Sequence, residues 1–155
     1  PFRRQRQMCI RDRYRCVRNM SWESMDVSLV DVAWLKPHEE IKTKNRDKLL
    51  DMTKRWGGYT KPLLVDSVTG AILDGHHRYS VAICLGLTKV PAIVIDYLNC
   101  DDISVDVWPN CGLSYITKQD VINMSLSENL YPPKTSKHTI SNHMPPIHIL
   151  LAELL

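Results

Sequence analysis

Across residues 27–34 apolar and polar side chains roughly alternate, the period of a half-buried strand, and Lys36-Pro37 ends the run because proline cannot extend a ladder. The period then changes. Leu49, Met52 and Trp56 recur at spacings of three and four, with acids early and Lys54 and Arg55 late. This pattern predicts a helix over 39–56, closed by Gly57-Gly58. Two short apolar runs follow, Pro62-Leu63-Leu64-Val65-Asp66 and Ala71-Ile72-Leu73. Ser67-Val68-Thr69-Gly70 separates them with turn chemistry, so they read as a hairpin.

The chain next bends at Asp74-Gly75, enters a helix over 76–85 that Gly86 terminates, and continues into a β-branched run over 90–97. Strand, glycine turn, helix, strand is the organising unit. Residues 103–108 read as one more strand. Thr117 with Asp120 three residues on is a capping box, opening a helix to about Ser127. Residues 131–146 hold four prolines and little apolar period, which predicts a loop; residues 147–155 restore an apolar edge. The expected architecture is α/β, a small mixed β-sheet flanked by helices.

Composition adjusts this picture only slightly. At 155 residues, 44% hydrophobic and 24% charged, the chain fits one compact domain with a core. No apolar run approaches the ~20 residues that span a bilayer, so no membrane partner and a soluble, cytoplasmic location are expected. The five cysteines are odd in number, lack paired short spacings and read as free thiols. The net charge of +3 conceals an asymmetry: residues 1–18 carry seven arginines against Asp12, and residues 19–155 hold 13 basic against 16 acidic side chains. A body with net charge −3 lacks the basic excess of a nucleic-acid binder. Residues 1–24 are expected to be a basic, disordered or non-native tail, with Met20 or Met25 as a sensible start, and residues 25–155 the folded unit.

The most informative chemistry lies at Asp74-Gly75-His76-His77-Arg78. Gly75 lets backbone approach a ligand, while the helix behind it turns unpaired amides and a positive dipole outward, a ready anion site. His76, His77 and Arg78 add donors, arginine's planar fork matching phosphate oxygens in pairs. Asp74 stands where it could cap the helix or hold magnesium. The paired histidines do not suggest zinc, since neighbouring helical positions diverge by ~100°. A second cluster, Lys134-Thr135-Ser136-Lys137-His138 after Pro132-Pro133, packs two ammonium groups, two hydroxyls and an imidazole into five residues. It reads either as a solvated linker or as a loop closing over phosphates. In a third, Lys36-Pro37-His38-Glu39-Glu40, a carboxylate stands at an expected helix start, as a dipole partner or as the general base for an attacking hydroxyl.

In this order the three segments resemble the free serine kinases of the ParB/sulfiredoxin-like superfamily, over roughly residues 27–155. The resemblance implies ATP or ADP as donor, Mg2+ as cofactor, L-serine as acceptor and O-phospho-L-serine as product. It implies Glu39 as catalytic base and Gly75, His76, His77 and Arg78 as a phosphate turn beside Asp74. It further implies nucleotide and substrate contacts from Lys134, Thr135, Ser136, Lys137 and His138, and a serine-pocket wall from Trp108. Ser136 and Lys137 stand where the family usually has threonine and arginine. Sulfiredoxins carry a cysteine where His76 stands, and ParB proteins append a helix-turn-helix module for which the residues after Trp108 are too few. The rival readings are a nucleotide-binding regulator that transfers nothing and a DNA-binding member.

Overall fold

The computed structural model describes residues 27–141, 144 and 146–155. The reading of residues 1–24 as a tail lies outside them. Among the described residues, eight strands and three α-helices follow in chain order: β1 Ser28–Asp31, α1 Thr43–Trp56, β2 Gly58–Tyr59, β3 Leu63–Asp66, β4 Ile72–Asp74, α2 His76–Leu85, β5 Lys89–Ile95, β6 Ile103–Val107, α3 Lys118–Leu126, β7 Ser136–Ile140 and β8 Ile149–Leu150. The central sheet has strand order β1-β5-β3-β4. Strands β3 and β5 run parallel with α2 in the connection between them, whereas β1 pairs with β5 and β4 with β3 in antiparallel fashion. The sheet is therefore mixed, as the sequence pattern predicts.

Both faces of this sheet are covered, which is why β3 and β5 are continuously apolar. Successive side chains on a strand point to opposite faces. Leu63, Val65, Ala92 and Val94 accordingly join a cluster with Val81 and Ala82 of α2, against which Leu49 and Leu50 of α1 pack. Leu64, Ile93 and Ile95 join the opposite cluster, with Tyr97, Ile103 and Val121 and Ile122 of α3. The β6–β7 ribbon completes that second layer, contributing Val105, Val107 and Ile140.

Three expectations need correction. The first strand ends at Asp31, and Val32–Trp34 turn as a 3-10 helix. Helix α1 begins at Thr43, not at residue 39, and has no acid in its first turn. Glu39 and Glu40 lie instead in extended backbone, where Glu39 bridges Tyr131 and the Glu40 amide donates to Tyr131 O at 2.8 Å. Finally, the expected loop over 131–146 contains β7, paired with β6 through five registered positions from Ile103↔Ile140 to Val107↔Ser136. The apolar edge near the C-terminus pairs β8 with β2, and Leu154 is fully buried, its carbonyl accepting from the amides of Thr88 and Lys89.

Other expectations hold at the helix ends, while the strand expected over 90–97 ends at Ile95 and Tyr97 opens a 3-10 helix. Thr117 Oγ1 accepts from the Asp120 amide while the Asp120 carboxylate accepts from the Thr117 amide, the expected capping box. Gly57 and Gly86 close α1 and α2 in the left-handed conformation.

Candidate active site

A cleft of about 420 Å3 opens where β4 hands the chain to α2, and residues from all three sequence clusters line it. Glu39 and Glu40 come from the segment before α1. Asp74, Gly75, His76, His77 and Arg78 come from the turn and first helical residues, Trp108 from the end of β6, and Lys134, Ser136, Lys137 and His138 from β7 and its approach. Two backbone pairings hold the first segment beside the second. The Lys36 amide donates to Gly70 O and the Ile72 amide to Lys36 O, both at 2.9 Å, fastening residue 36 against the β3–β4 turn. The Tyr131 amide donates to His38 O at 2.8 Å, fastening residue 38 to the approach to β7.

Gly75 caps α2 with φ 106, a conformation that L side chains rarely adopt. A Cβ there would stand 2.8 Å from Leu63 Cγ and 3.2 Å from Arg78 Nε. Glycine thus lets the helix start directly against β3, and the first amides of α2, which have no intrahelical partners, face the cleft end of the helix. Asp74 makes no cap. Its carboxylate, half exposed, pairs with Arg78 Nη2 at 3.4 Å, which corrects the capping alternative: Gly75, not Asp74, occupies the cap position. Arg78 is mostly covered, and its Nε is buried with no hydrogen-bond partner among the described residues.

The paired histidines diverge as helical geometry requires. His77 Nε2 accepts from the Lys42 amide at 3.2 Å at the cleft edge. His76 turns inward, where its Nε2 accepts from the His38 amide at 3.2 Å, so its proton is on Nδ1. His76 is therefore no surface group. Its ring meets that of His38 edge to face at 4.5 Å, and His38 meets His138 at 5.9 Å. Burial keeps this trio uncharged: it lowers His38 to about 4, partly offset by the Ile72 backbone, and His138 to about 3, and holds His76 well below the usual imidazole range. The repulsion among the imidazoles adds to the effect for His76 and His138.

Glu39 carries the densest interactions. Its Oε1 accepts from the amides of Thr135 and Ser136, both at 2.8 Å, and from the Ser136 hydroxyl at 3.3 Å. Burial raises its pKa, and these hydrogen bonds pull the other way. Thr135 is itself buried and does not line the cleft; its hydroxyl donates to Pro132 O at 2.7 Å, so the group it turns toward the site is its amide. Lys134 adopts φ 58, and its Nζ stands 5.9 Å from the centre of the Trp108 ring; Lys137 Nζ stands at 5.0 Å from the same ring. The Trp108 indole donates to Ser136 O at 3.1 Å. The expected loop is thus a turn and a strand, Lys134 in the turn and Lys137 in β7, and both lysines stand over one aromatic wall.

Two participants carry no assigned role in the sequence reading. His38 lies inside a named motif but is overshadowed by Glu39, and Tyr97, whose hydroxyl is 2.8 Å from His138 Nε2, reads as a core aromatic. A histidine next to a candidate base is the only signal that points to the first. Nothing local points to the second.

No family model matches the chain. Among curated proteins it is 38% identical over 74 residues to a ParB-like protein of Sulfolobus acidocaldarius, covering 48% of this chain and 36% of that one. It is 36% identical over 94 residues to an ATP-dependent L-serine kinase of Staphylothermus marinus, covering 58% of this chain and 37% of the relative. It is 30% identical over 90 residues to the ADP-dependent L-serine kinase SerK of Thermococcus kodakarensis, covering 56% and 37%. The matched stretches thus span little more than a third of these relatives. Among solved structures, a free serine kinase in complex with AMP superposes with a TM-score of 0.75 at 19% identity, covering 84% of this chain and 94% of that one. The chain therefore has the fold of the free serine kinases and is similar in sequence, over about half its length, to L-serine kinases and to a ParB-like protein.

Proposed function

We propose that the protein transfers a phosphoryl group from ATP or ADP to free L-serine, giving O-phospho-L-serine. The observation that carries this reading is the convergence of a partly buried carboxylate, a helix N-terminus with Arg78, and two lysines on one cleft. In the reaction the serine hydroxyl oxygen attacks the terminal phosphorus as the bond to the departing ADP or AMP oxygen breaks, and the hydroxyl proton passes to Glu39. The α2 amides after Gly75, the side chains of His77 and Arg78, and the ammonium groups of Lys134 and Lys137 hold phosphate oxygens. Trp108 walls the acceptor side. His76 supports the phosphate turn from beneath, with its amide at the helix start and its ring tied to the His38 backbone, and His138 buttresses the same floor.

Among the described residues no group of three or more His, Cys, Asp or Glu is arranged to hold a metal ion. That suits Mg2+, which binds through one or two carboxylates and keeps phosphate and water for its other positions. Asp74, half exposed at the cleft rim, is the residue that would hold it, and bound Mg2+ would neutralise phosphate charge.

The test mixes protein, Mg2+, L-serine and either nucleotide and follows the phosphorus resonances. A new phosphomonoester signal is expected with at least one nucleotide, and its absence with both refutes transfer. Glu39→Gln should bind nucleotide as before while losing turnover by about 10²- to 10⁴-fold. Unchanged turnover would remove Glu39 from the mechanism.

A further inference from the structure

His38 is fully buried, yet it sits beside the cleft and its side chain takes no part in the chemistry outlined above. Its Nε2 is 2.9 Å from Ser136 Oγ, and the same Oγ is 3.3 Å from Glu39 Oε1. The three groups form a line from the interior to the carboxylate. The other ring nitrogen, Nδ1, is buried with no hydrogen-bond partner among the described residues, and the Ile72 backbone favours the protonated ring. Ser136 Oγ carries a single proton and lies 3.3 Å from the acceptor-only Oε1 of Glu39, so the hydroxyl bonds the carboxylate and the imidazole nitrogen facing Oγ is left to donate. The proton therefore belongs on Nε2.

Ser136 Oγ then accepts from His38, and the single proton of the hydroxyl points to Glu39. We infer that His38 and Ser136 are positioning residues for Glu39: the imidazole donates from Nε2 to the Ser136 hydroxyl, which is thereby directed to Oε1, leaving Oε2 to take the substrate proton. Three donors converge on Oε1, the Thr135 amide, the Ser136 amide and this hydroxyl, and the Lys134 amide is a further donor beside the carboxylate. The carboxylate is held in one orientation by its first oxygen. His38 is itself held, its amide by His76 and its carbonyl by Tyr131.

This role rests on Glu39 acting as the base, so its test has a part that needs no turnover. The nitrogen shifts of His38 should report the Nε2–H tautomer, and the side-chain carboxyl carbon of Glu39 should be titrated in the wild type, Ser136→Ala and Ser136→Thr. Other groups around that carboxylate are Glu40, Asp74, Arg78, Lys134, Lys137 and the imidazoles of His38, His76, His77 and His138. All are common to the three proteins. Removing a hydrogen bond that favours the charged form should move the Glu39 midpoint up by about 0.5 to 1 pH unit in Ser136→Ala. Ser136→Thr, which keeps a hydroxyl, should bring it back. In turnover, Ser136→Ala should lower kcat on the order of tenfold, with the acid limb displaced to higher pH and nucleotide KM little changed.

An Nδ1–H tautomer, or a Glu39 midpoint that Ser136→Ala leaves in place, overturns the arrangement. If the wild type forms phosphoserine and Ser136→Ala matches it in kcat and pH profile, the positioning role fails while the kinase reading stands. If no variant, nor the wild type, forms phosphoserine, the kinase reading fails and the catalytic consequence with it, while the tautomer and titration still decide the hydrogen-bond arrangement.

Discussion

Gly75→Ala tests how the fold builds its anion-binding end, and its magnitude follows from two separate terms. The first is backbone: at φ 106 an L side chain in left-handed territory costs about 1–2 kcal/mol. The second is contact. The new methyl would lie 2.8 Å from Leu63 Cγ, a branching carbon of a fully buried strand residue, and 3.2 Å from both Arg78 Nε and Nη2. Relieving such overpacking in a filled core costs about 1–3 kcal/mol. Together the loss should be about 2–5 kcal/mol. Gly86→Ala supplies the internal control at the other end of the same helix, because Gly86 has φ 66 and nothing within 4 Å of an added Cβ. It should lose only the backbone term, about 1–2 kcal/mol. Equilibrium urea unfolding of the two variants gives the difference, and titration calorimetry with ADP should show weakened binding only for Gly75→Ala, whose methyl presses on the Arg78 guanidinium. If Gly75→Ala is no less stable than Gly86→Ala, β3 and α2 do not meet as tightly as described, and the reasoning fails.

The remaining predictions concern the histidines and the aromatic wall. His38, His76 and His138 all have folded pKa values below the unfolded value of about 6.5. The folded protein therefore binds fewer protons than the unfolded chain as the pH falls from about 6.5 to about 4, so stability is full above that window and is lost through it. Unfolding free energies from urea titrations should fall with a slope of up to about 1.4 kcal/mol per pH unit per histidine, and His138→Gln should flatten the slope by about one proton; a slope unchanged in that variant contradicts the burial argument. Trp108→Phe keeps an aromatic ring but loses the indole donor to Ser136 O at 3.1 Å and weakens the platform under Lys134 and Lys137. At about 1 kcal/mol for the lost bond, steady-state kinetics should show serine KM raised roughly fivefold with a smaller change in kcat; an unaltered KM would take Trp108 out of the acceptor side.

Much of the architecture was legible because it rests on local rules. The bounds of α2 follow from Gly75 and Gly86, and the start of α3 follows from Thr117 and Asp120. β3 and β5 show as apolar runs because both of their faces are covered. β7 was hidden for the opposite reason. Its inward positions are Ser136, His138 and Ile140, so the side facing the interior is mostly polar, and the binary pattern that marks strands is missing. The misplaced start of α1 has a similar cause. Acids ahead of a helical pattern look like dipole partners, but the Glu39 carboxylate finds amides 96 and 97 residues away, and that attachment keeps its backbone extended.

The sequence by itself determined the three clusters, the glycine that admits a helix against a strand, and the order of most elements, since each depends on neighbours within a few positions. Tertiary structure alone decided which nitrogen, oxygen and amide meet: that His76 faces inward while His77 stays at the rim, that Thr135 gives its amide instead of its hydroxyl, and that His38 lies behind Ser136 and Glu39. The physical reason is that hydrogen bonds between remote segments are fixed by where the sheet and its covering layers bring those segments together, and no local period encodes that distance.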